Sequence, residues 1–238
     1  MTDRHGGVSR PPWDSMNLGD HVGDAAHSVQ VNRQRLQEAI GRRPVFLKQV
    51  HGHQAVALDA STQDGTEADA CFALNSEVAC TIMVADCLPV LFTDASGQVV
   101  AAAHAGWRGL AAGVIEHTVH AVCEAAGVVP AQVRVWLGPC IGPEAFEVGD
   151  DVRTAFTSPT AIDPLQAQRC FKAHPAHAEK WLADLAGLAR VRLQALGVTS
   201  VAGNNSTTEW CTVSQPSKLF SFRRDGVTGR FAVCIWRN

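Results

Sequence analysis

With 238 residues, 46% of them hydrophobic and 18% charged, the chain has the composition of a folded domain with a sizeable core, far from the polar, highly charged regime of disorder. Its formal net charge of −3 argues against the basic surface of a protein that tracks a phosphate backbone, so no nucleic-acid partner is expected. The start, MTDRHGGVSRPPWDS, has no apolar signal core and no later segment reaches the roughly 18 apolar residues of a membrane span, so the expectations are a cytoplasmic location and no membrane partner.

Residues 1–15 read as a flexible N-terminal arm. SVQVNRQRLQEAIG then predicts a helix capped by Ser28, with Val29, Leu36 and Ile40 on one face and Gly41 as its stop. PVFLKQVHG reads as a strand ending in polar residues. EVACTIMVADCLPVLFTDASG is an apolar run broken by Asp86, Cys87 and Pro89, which predicts two strands meeting at a bend. QVVAAAH predicts a buried strand, and GLAAGVIEHTVHAVCEAAG a single helix with Ala111, Ile115, Thr118 and Val122 at helical spacing. QVRVWLG predicts a further strand, GPCIGPEAFEVGDDV a loop, AEKWLADLAGLARVRLQALG a helix and VAGNNSTTEWCT another loop. The terminal KLFSFRRDGVTGRFAVCIW reads as a hairpin turning at Asp225-Gly226 and Gly229. Strands and helices alternate in the middle and the end is strand-rich, which predicts an α+β fold: one domain over 1–238, with layered mixed β-sheets flanked by helices. The eight cysteines are dispersed without a CxxC and read as reduced thiols.

Three metal-capable side chains stand at strand ends: His51 in KQVHG, Cys87 in VADCLPV and His104 in AAAHAGWRG. Two imidazoles and one thiolate suit Zn²⁺ and leave the fourth tetrahedral position open, the pattern of a catalytic rather than a structural zinc site. Each histidine taken alone is more often an ordinary surface or core residue, and His117 and His120 read as solvent-facing positions of a helix. Past His104, Arg108 offers a bidentate contact to phosphate, helped by N–H groups around Gly106 and Gly109 at a helix start. Trp107 suits core packing as well as base stacking. Asp86 fits a ligand-orienting or general acid/base role as well as a plain turn cap. If the strand continues through His51, Gln49 shares its face and points to the same pocket. Asn17 and Asp20 in NLGDHVGD fit a loop closing over a site or a simple turn. Cys140 reads as a small loop residue, and Arg223 and Arg224 as solvated charges beside a turn.

The ordered series NLGDHVGD, NRQRL, KQVHG, ADCLPVLF, HAGWRGL, GPCIGPEAFEVGDDV and FSFRRDGVTGR, spread over residues 17–230, resembles the YfiH-like family, also labelled laccase-domain or polyphenol oxidase proteins. The resemblance implies a zinc site of His51, Cys87 and His104. It also implies phosphorolysis of adenosine, inosine and guanosine, cleavage of methylthioadenosine, and hydrolytic deamination of adenosine. The partners it implies are purine nucleosides and phosphate, acting on a monomer. The HxE and PCxxC signature of the zinc deaminases is missing, so that likeness is one of metal chemistry only. Competing readings are a metal-free Cys/His hydrolase with Cys87 as nucleophile and His104 as base, and an amidase editing peptidoglycan precursors. Copper-dependent phenol oxidation is disfavoured, because multicopper sites use paired HxH elements and the chain offers only His51-Gly52-His53.

Overall fold

The computed structural model describes residues 1–238, in which the chain first lays down α1 (Ala26–Ile40), β1 (Arg43–Phe46), β2 (Ala55–Leu58), β3 (Ala70–Ala73), β4 (Val78–Val84), β5 (Leu88–Asp94) and β6 (Val100–Ala105). Two consecutive helices follow, α2 (Trp107–Ala112) and α3 (Val114–Ala126), and then β7 (Val133–Leu137), β8 (Glu147–Val148), α4 (Asp150–Thr157) and α5 (Pro164–Gln168). The remainder is β9 (Phe171–Ala173), β10 (Trp181–Ala183), α6 (Leu185–Ala195), β11 (Ser200–Gly203), α7 (Phe222–Asp225) and β12 (Phe231–Ile235).

Side-chain alternation explains the layering. Along β6, Ala101, Ala103 and Ala105 face one core, shared with Leu110, Ile115 and Val119 from the helices and Leu188 and Leu193 from α6. Val100 and Ala102 face the opposite way, into a second core with Val45, Cys80, Ile82 and Val233. The six-stranded mixed sheet β11-β7-β5-β6-β3-β2 is therefore covered by helices on one face and by the three-stranded sheet β1-β4-β12 on the other. β4 is buried along its whole length because it turns Ile82 and Val84 inward and Met83 outward, where Met83 meets Leu36 of α1. The alanines of β6 leave room for α3 to pack on that strand. The result is an α+β single domain with mixed sheets.

Several local expectations need correction. α1 begins at Ala26 rather than behind a Ser28 cap, and no side chain caps it. The single helix expected from Gly109 onward breaks at Gly113, whose φ of 98° ends α2 and starts α3. Trp181–Ala183 is strand β10, and α6 starts only after Asp184, whose side chain accepts the Gly187 N–H. The expected terminal hairpin does not form. Ser221 accepts the Arg224 N–H and winds FRRD into α7, and β12 pairs antiparallel with the distant β4. β2 and β3 were not expected, and β8, the start of α4 and β11 occupy segments read as loops. The first fifteen residues lie against the body: Thr2 N–H donates to Ala232 O at 2.8 Å, Arg4 N–H to Lys218 O at 2.8 Å, and Asn32 Nδ2 to Ser15 O at 3.1 Å.

Candidate metal centre

The cross-strand register pairs Pro89 with His104, which sets Cys87, at the bend between β4 and β5, beside the end of β6. His104 shares its side of β6 with Val100 and Ala102, so it reaches the rim of the space between the two sheets. His51 arrives from the loop after β1. Strand β1 stops at Phe46, so the alternation argument for Gln49 and His51 fails there, and His51 instead adopts a left-handed backbone with φ 61°. The ligand atoms of His51, Cys87 and His104 lie within 4.8 Å of one another, with Cys87 Sγ 3.9 Å from His51 Nε2.

A residue missed in the sequence holds this arrangement together. Asp69, fully buried just before β3, accepts the backbone N–H groups of Val50 (3.0 Å), His51 (2.9 Å) and Gly52 (2.7 Å), and lies 2.8 Å from His104 Nδ1. An ionised carboxylate only accepts, so Nδ1 carries the proton and Nε2 is left for a ligand bond. Burial raises the Asp69 carboxyl, but the bonds from His104, Gly52 and Val50 outweigh it and hold it below the usual carboxylate range. Its only signal in the sequence is an acidic residue inside the otherwise apolar ADACFAL.

The donors form an electrostatic unit. Burial raises the Cys87 thiol, but the adjacent His104 and His51 bring it down to about 6. Burial lowers His104, but Cys87 and Asp69 overcome it and lift the imidazole to about 9. Near neutrality the pair is therefore a thiolate and an imidazolium.

A tetrahedral zinc with Zn–N near 2.0 Å and Zn–S near 2.3 Å needs an N···S separation of about 3.6 Å, close to the separation seen here. The cradle is kept open by Gly106. A Cβ there would lie 2.9 Å from His51 Cδ2 and 3.0 Å from Cys87 Sγ. Gly109 also lets α2 press against the His51 turn, since a Cβ there would lie 2.6 Å from Gly52 O. The residues thus fit a three-donor zinc.

The donors open into a cavity of about 560 Å³, within the range of small-molecule sites. Trp107 and the exposed Arg108 line it, with the Arg108 guanidinium stacked 4.5 Å from the Trp107 ring centre. Gln49 lines it too, but both ends of its amide are spent on the Met83 backbone, at 2.8 and 2.9 Å. Asp86 lines it with φ 101°, its carboxylate accepting from the Thr212 hydroxyl (2.5 Å) and the Arg223 N–H (2.6 Å). Asn17 does not reach the cavity. It is buried, with its amide bonded to Gly19, Asp24 and the Arg230 N–H. Its neighbour Asp20 pairs with Arg33 at 3.2 Å, also outside the cavity, whereas His21 is at its wall.

Two arginines given little weight in the sequence reading separate here. Arg224 is a staple, bonded to Thr212 O, Val213 O, Leu219 O and Asp225, whereas Arg223 lines the cavity together with Arg230. His53 turns away from the centre to His117, their rings 4.6 Å apart, so the HxH pair does not converge on one site. Cys140 is buried, accepting from Asn204 Nδ2 at 3.3 Å, in keeping with a loop-packing role. A second cluster, Glu147, His174 and His177, has its rings stacked at 4.4 Å. There His174 Nδ1 accepts the Ala176 and His177 N–H groups, which places the ring proton on Nε2, toward Glu147.

The whole chain, residues 1–238, matches the family model described as multi-copper polyphenol oxidoreductase laccase. It is 49% identical over 236 residues to a protein of Pseudomonas aeruginosa named purine nucleoside phosphorylase, covering 99% of this chain and 91% of that one. It is 45% identical over 235 residues to the Escherichia coli purine nucleoside phosphorylase YfiH, covering 98% and 90%. Among solved structures, a Neisseria meningitidis protein superposes with a TM-score of 0.91 at 43% identity, over 100% of this chain and 93% of that one. YlmD from Geobacillus stearothermophilus gives a TM-score of 0.88 at 30% identity, over 100% and 90%. In sequence and in fold, the chain therefore belongs to the multi-copper polyphenol oxidoreductase laccase family, which includes the YfiH-type proteins.

Proposed function

We propose that this protein is a zinc-dependent purine nucleoside phosphorylase acting on adenosine, inosine, guanosine and methylthioadenosine. The observation that carries the reading is that one cavity joins a three-donor metal centre (His51, Cys87, His104) to the guanidinium groups of Arg108, Arg223 and Arg230. Its relatives named purine nucleoside phosphorylase give the substrate class. When bound, zinc supplies a Lewis acid that polarises an oxygen ligand and lowers the pKa of water toward neutrality.

In phosphorolysis a phosphate oxygen forms the bond to C1′ as the C1′–N9 bond breaks, and the proton of HPO₄²⁻ leaves with the base. The products are the free purine and ribose 1-phosphate, or 5-methylthioribose 1-phosphate from methylthioadenosine. Arg108, exposed on the cavity wall, supplies positive charge that draws phosphate into the cavity. Trp107 presents an apolar wall to the purine. The glycines at 106 and 109 give the centre room. The three-donor count, which leaves a coordination position for water, also supports hydrolytic deamination of adenosine in the same cavity.

A second reading rests on one contact. His104 sits between Cys87 and Asp69, the arrangement of a cysteine nucleophile, its base and an orienting carboxylate, which suits a metal-free hydrolase of amides. Metal content and turnover measured on the same sample separate the readings. Phosphate-dependent release of hypoxanthine from inosine, lost with chelation and restored by zinc, supports the phosphorylase. Conversion of adenosine to inosine reports deamination, and full turnover in metal-free protein supports the hydrolase. Oxygen consumption with a phenol that tracks bound copper would overturn the zinc assignment.

A further inference from the structure

We infer that Arg223 and Arg230 form the inorganic-phosphate subsite of the cavity, with Asp86 holding Arg223 in register with the metal donors and Asn17 fixing the backbone of Arg230. The identity of the anion rests on the phosphorylase reading; the existence of the subsite rests on the following geometry.

Both guanidinium groups line the cavity, and their hydrogen bonds go to backbone carbonyls. Arg223 donates to Ala145 O (3.2 Å) and Glu147 O (3.1 Å), and Arg230 donates to Thr228 O (3.2 Å) and Gly229 O (3.1 Å). Neither has a carboxylate partner, whereas their neighbour Arg224 is paired with Asp225 at 2.7 Å. Each guanidinium has five N–H donors, so carbonyl anchoring fixes the fork and leaves donors for an anion. Burial weighs against the Arg230 charge and the nearby Cys87 and Asp86 only partly offset it, which leaves Arg230 able to gain from a bound anion.

The positioning is equally specific. Asp86 precedes the ligand Cys87 in a left-handed conformation, and its carboxylate takes the Arg223 N–H at 2.6 Å while its carbonyl takes the Ile141 N–H at 2.8 Å. One residue thus ties the bend that carries the thiolate to α7 and to the 140–142 loop. Each Asp86 oxygen takes one of these bonds, from the Thr212 hydroxyl or the Arg223 N–H, so Asp86 acts on the subsite through Arg223. Asn17 anchors the Arg230 backbone to the loop before α1, its Oδ1 accepting the Arg230 N–H at 2.9 Å and its Nδ2 donating to Asp24.

The test uses the full-length, zinc-loaded protein titrated with inorganic phosphate by calorimetry, alongside steady-state kinetics with inosine. Arg223→Gln, on an exposed side chain, is expected to weaken phosphate binding and raise the KM for phosphate about tenfold or more, with zinc content unchanged and the inosine KM within about twofold. Asp86→Ala is expected to move the same two quantities in the same direction, because the Arg223 N–H loses its acceptor, and Asp86→Asn, whose amide can donate to the Thr212 hydroxyl and accept the Arg223 N–H, is expected to restore them. Phosphate affinity equal to wild type in both Arg223→Gln and Arg230→Lys overturns the subsite. Should Arg230→Lys fail to fold, Arg223→Gln decides alone. Phosphate-dependent turnover with an unchanged phosphate KM in the arginine variants rejects the subsite and keeps the phosphorylase. Phosphate binding that the arginine variants abolish, without base release by wild type, keeps the subsite and rejects the phosphorylase.

Discussion

Replacing Asp69 by asparagine tests how the metal centre is built, because it removes charge and one acceptor while keeping the shape. Each carboxylate oxygen serves two donors: Oδ1 faces the His51 N–H and His104 Nδ1, and Oδ2 faces the Val50 and Gly52 N–H groups. Whichever way the amide turns, its NH₂ confronts two buried donors. Stranding a buried donor costs about 1–3 kcal/mol, so Asp69→Asn is expected to lose about 2–5 kcal/mol of stability. At about 2–4 °C per kcal/mol for a chain of this size, Tm falls by about 5–15 °C. If the NH₂ faces His104, the imidazole moves its proton to Nε2 and the ligand atom is lost; if it faces Val50 and Gly52, the left-handed His51 turn loosens. Zinc affinity should fall about 10–100-fold either way, as for other carboxylates that orient a ligating histidine. Denaturant melts and chelator competition measure the two effects. A variant within about 0.5 kcal/mol of wild type that binds zinc equally well would refute the assigned role of Asp69.

Gly106→Ala places a methyl group against His51 and Cys87 and should reduce bound zinc well below one equivalent, with a stability loss of about 1–3 kcal/mol; elemental analysis and thermal melts check both. Zinc binding requires a thiolate and a neutral His104, whereas the metal-free pair holds a proton on His104 up to about pH 9. Binding at pH 7.5 should therefore release about one proton from this pair, with affinity rising with pH toward 9 and falling more steeply below 6 as Cys87 also protonates. Calorimetry in buffers of differing ionisation enthalpy reads the count, and an affinity independent of pH between 6 and 9 would contradict the ion pair. Far from the cavity, Arg192 donates to Glu116 at 2.7 Å between α6 and α3, and Arg192→Ala should cost about 3–5 kcal/mol in a urea melt, leaving a buried carboxylate unpaired.

The three candidate metal donors, which the structure brings within 4.8 Å of one another, were legible because each stands beside a recognisable signal: the apolar run of β6 before His104, the Asp-Cys-Leu-Pro interruption at Cys87, and the polar end of PVFLKQVHG at His51. Apolar runs and helical spacing likewise set β4 to β6 and α3, since those elements bury one face or both. Two of the misses have a common cause in partners distant along the chain. β12 was read as half of a hairpin, but its hydrogen bonds go to β4, about 150 residues earlier. Asp69 looked like any acidic residue in a strand, because the three N–H groups it accepts exist only once the His51 turn is folded.

Thus the sequence alone determined the α+β class and the donor chemistry, since residue type and periodicity are local properties. Tertiary structure decided which polar groups are free to act. It engaged Gln49 and Asn17 in backbone and side-chain bonds, bonded Asp86 to the Thr212 hydroxyl and the Arg223 N–H, and left Arg223 and Arg230 without salt-bridge partners, because a side chain's partners come from elsewhere in the chain.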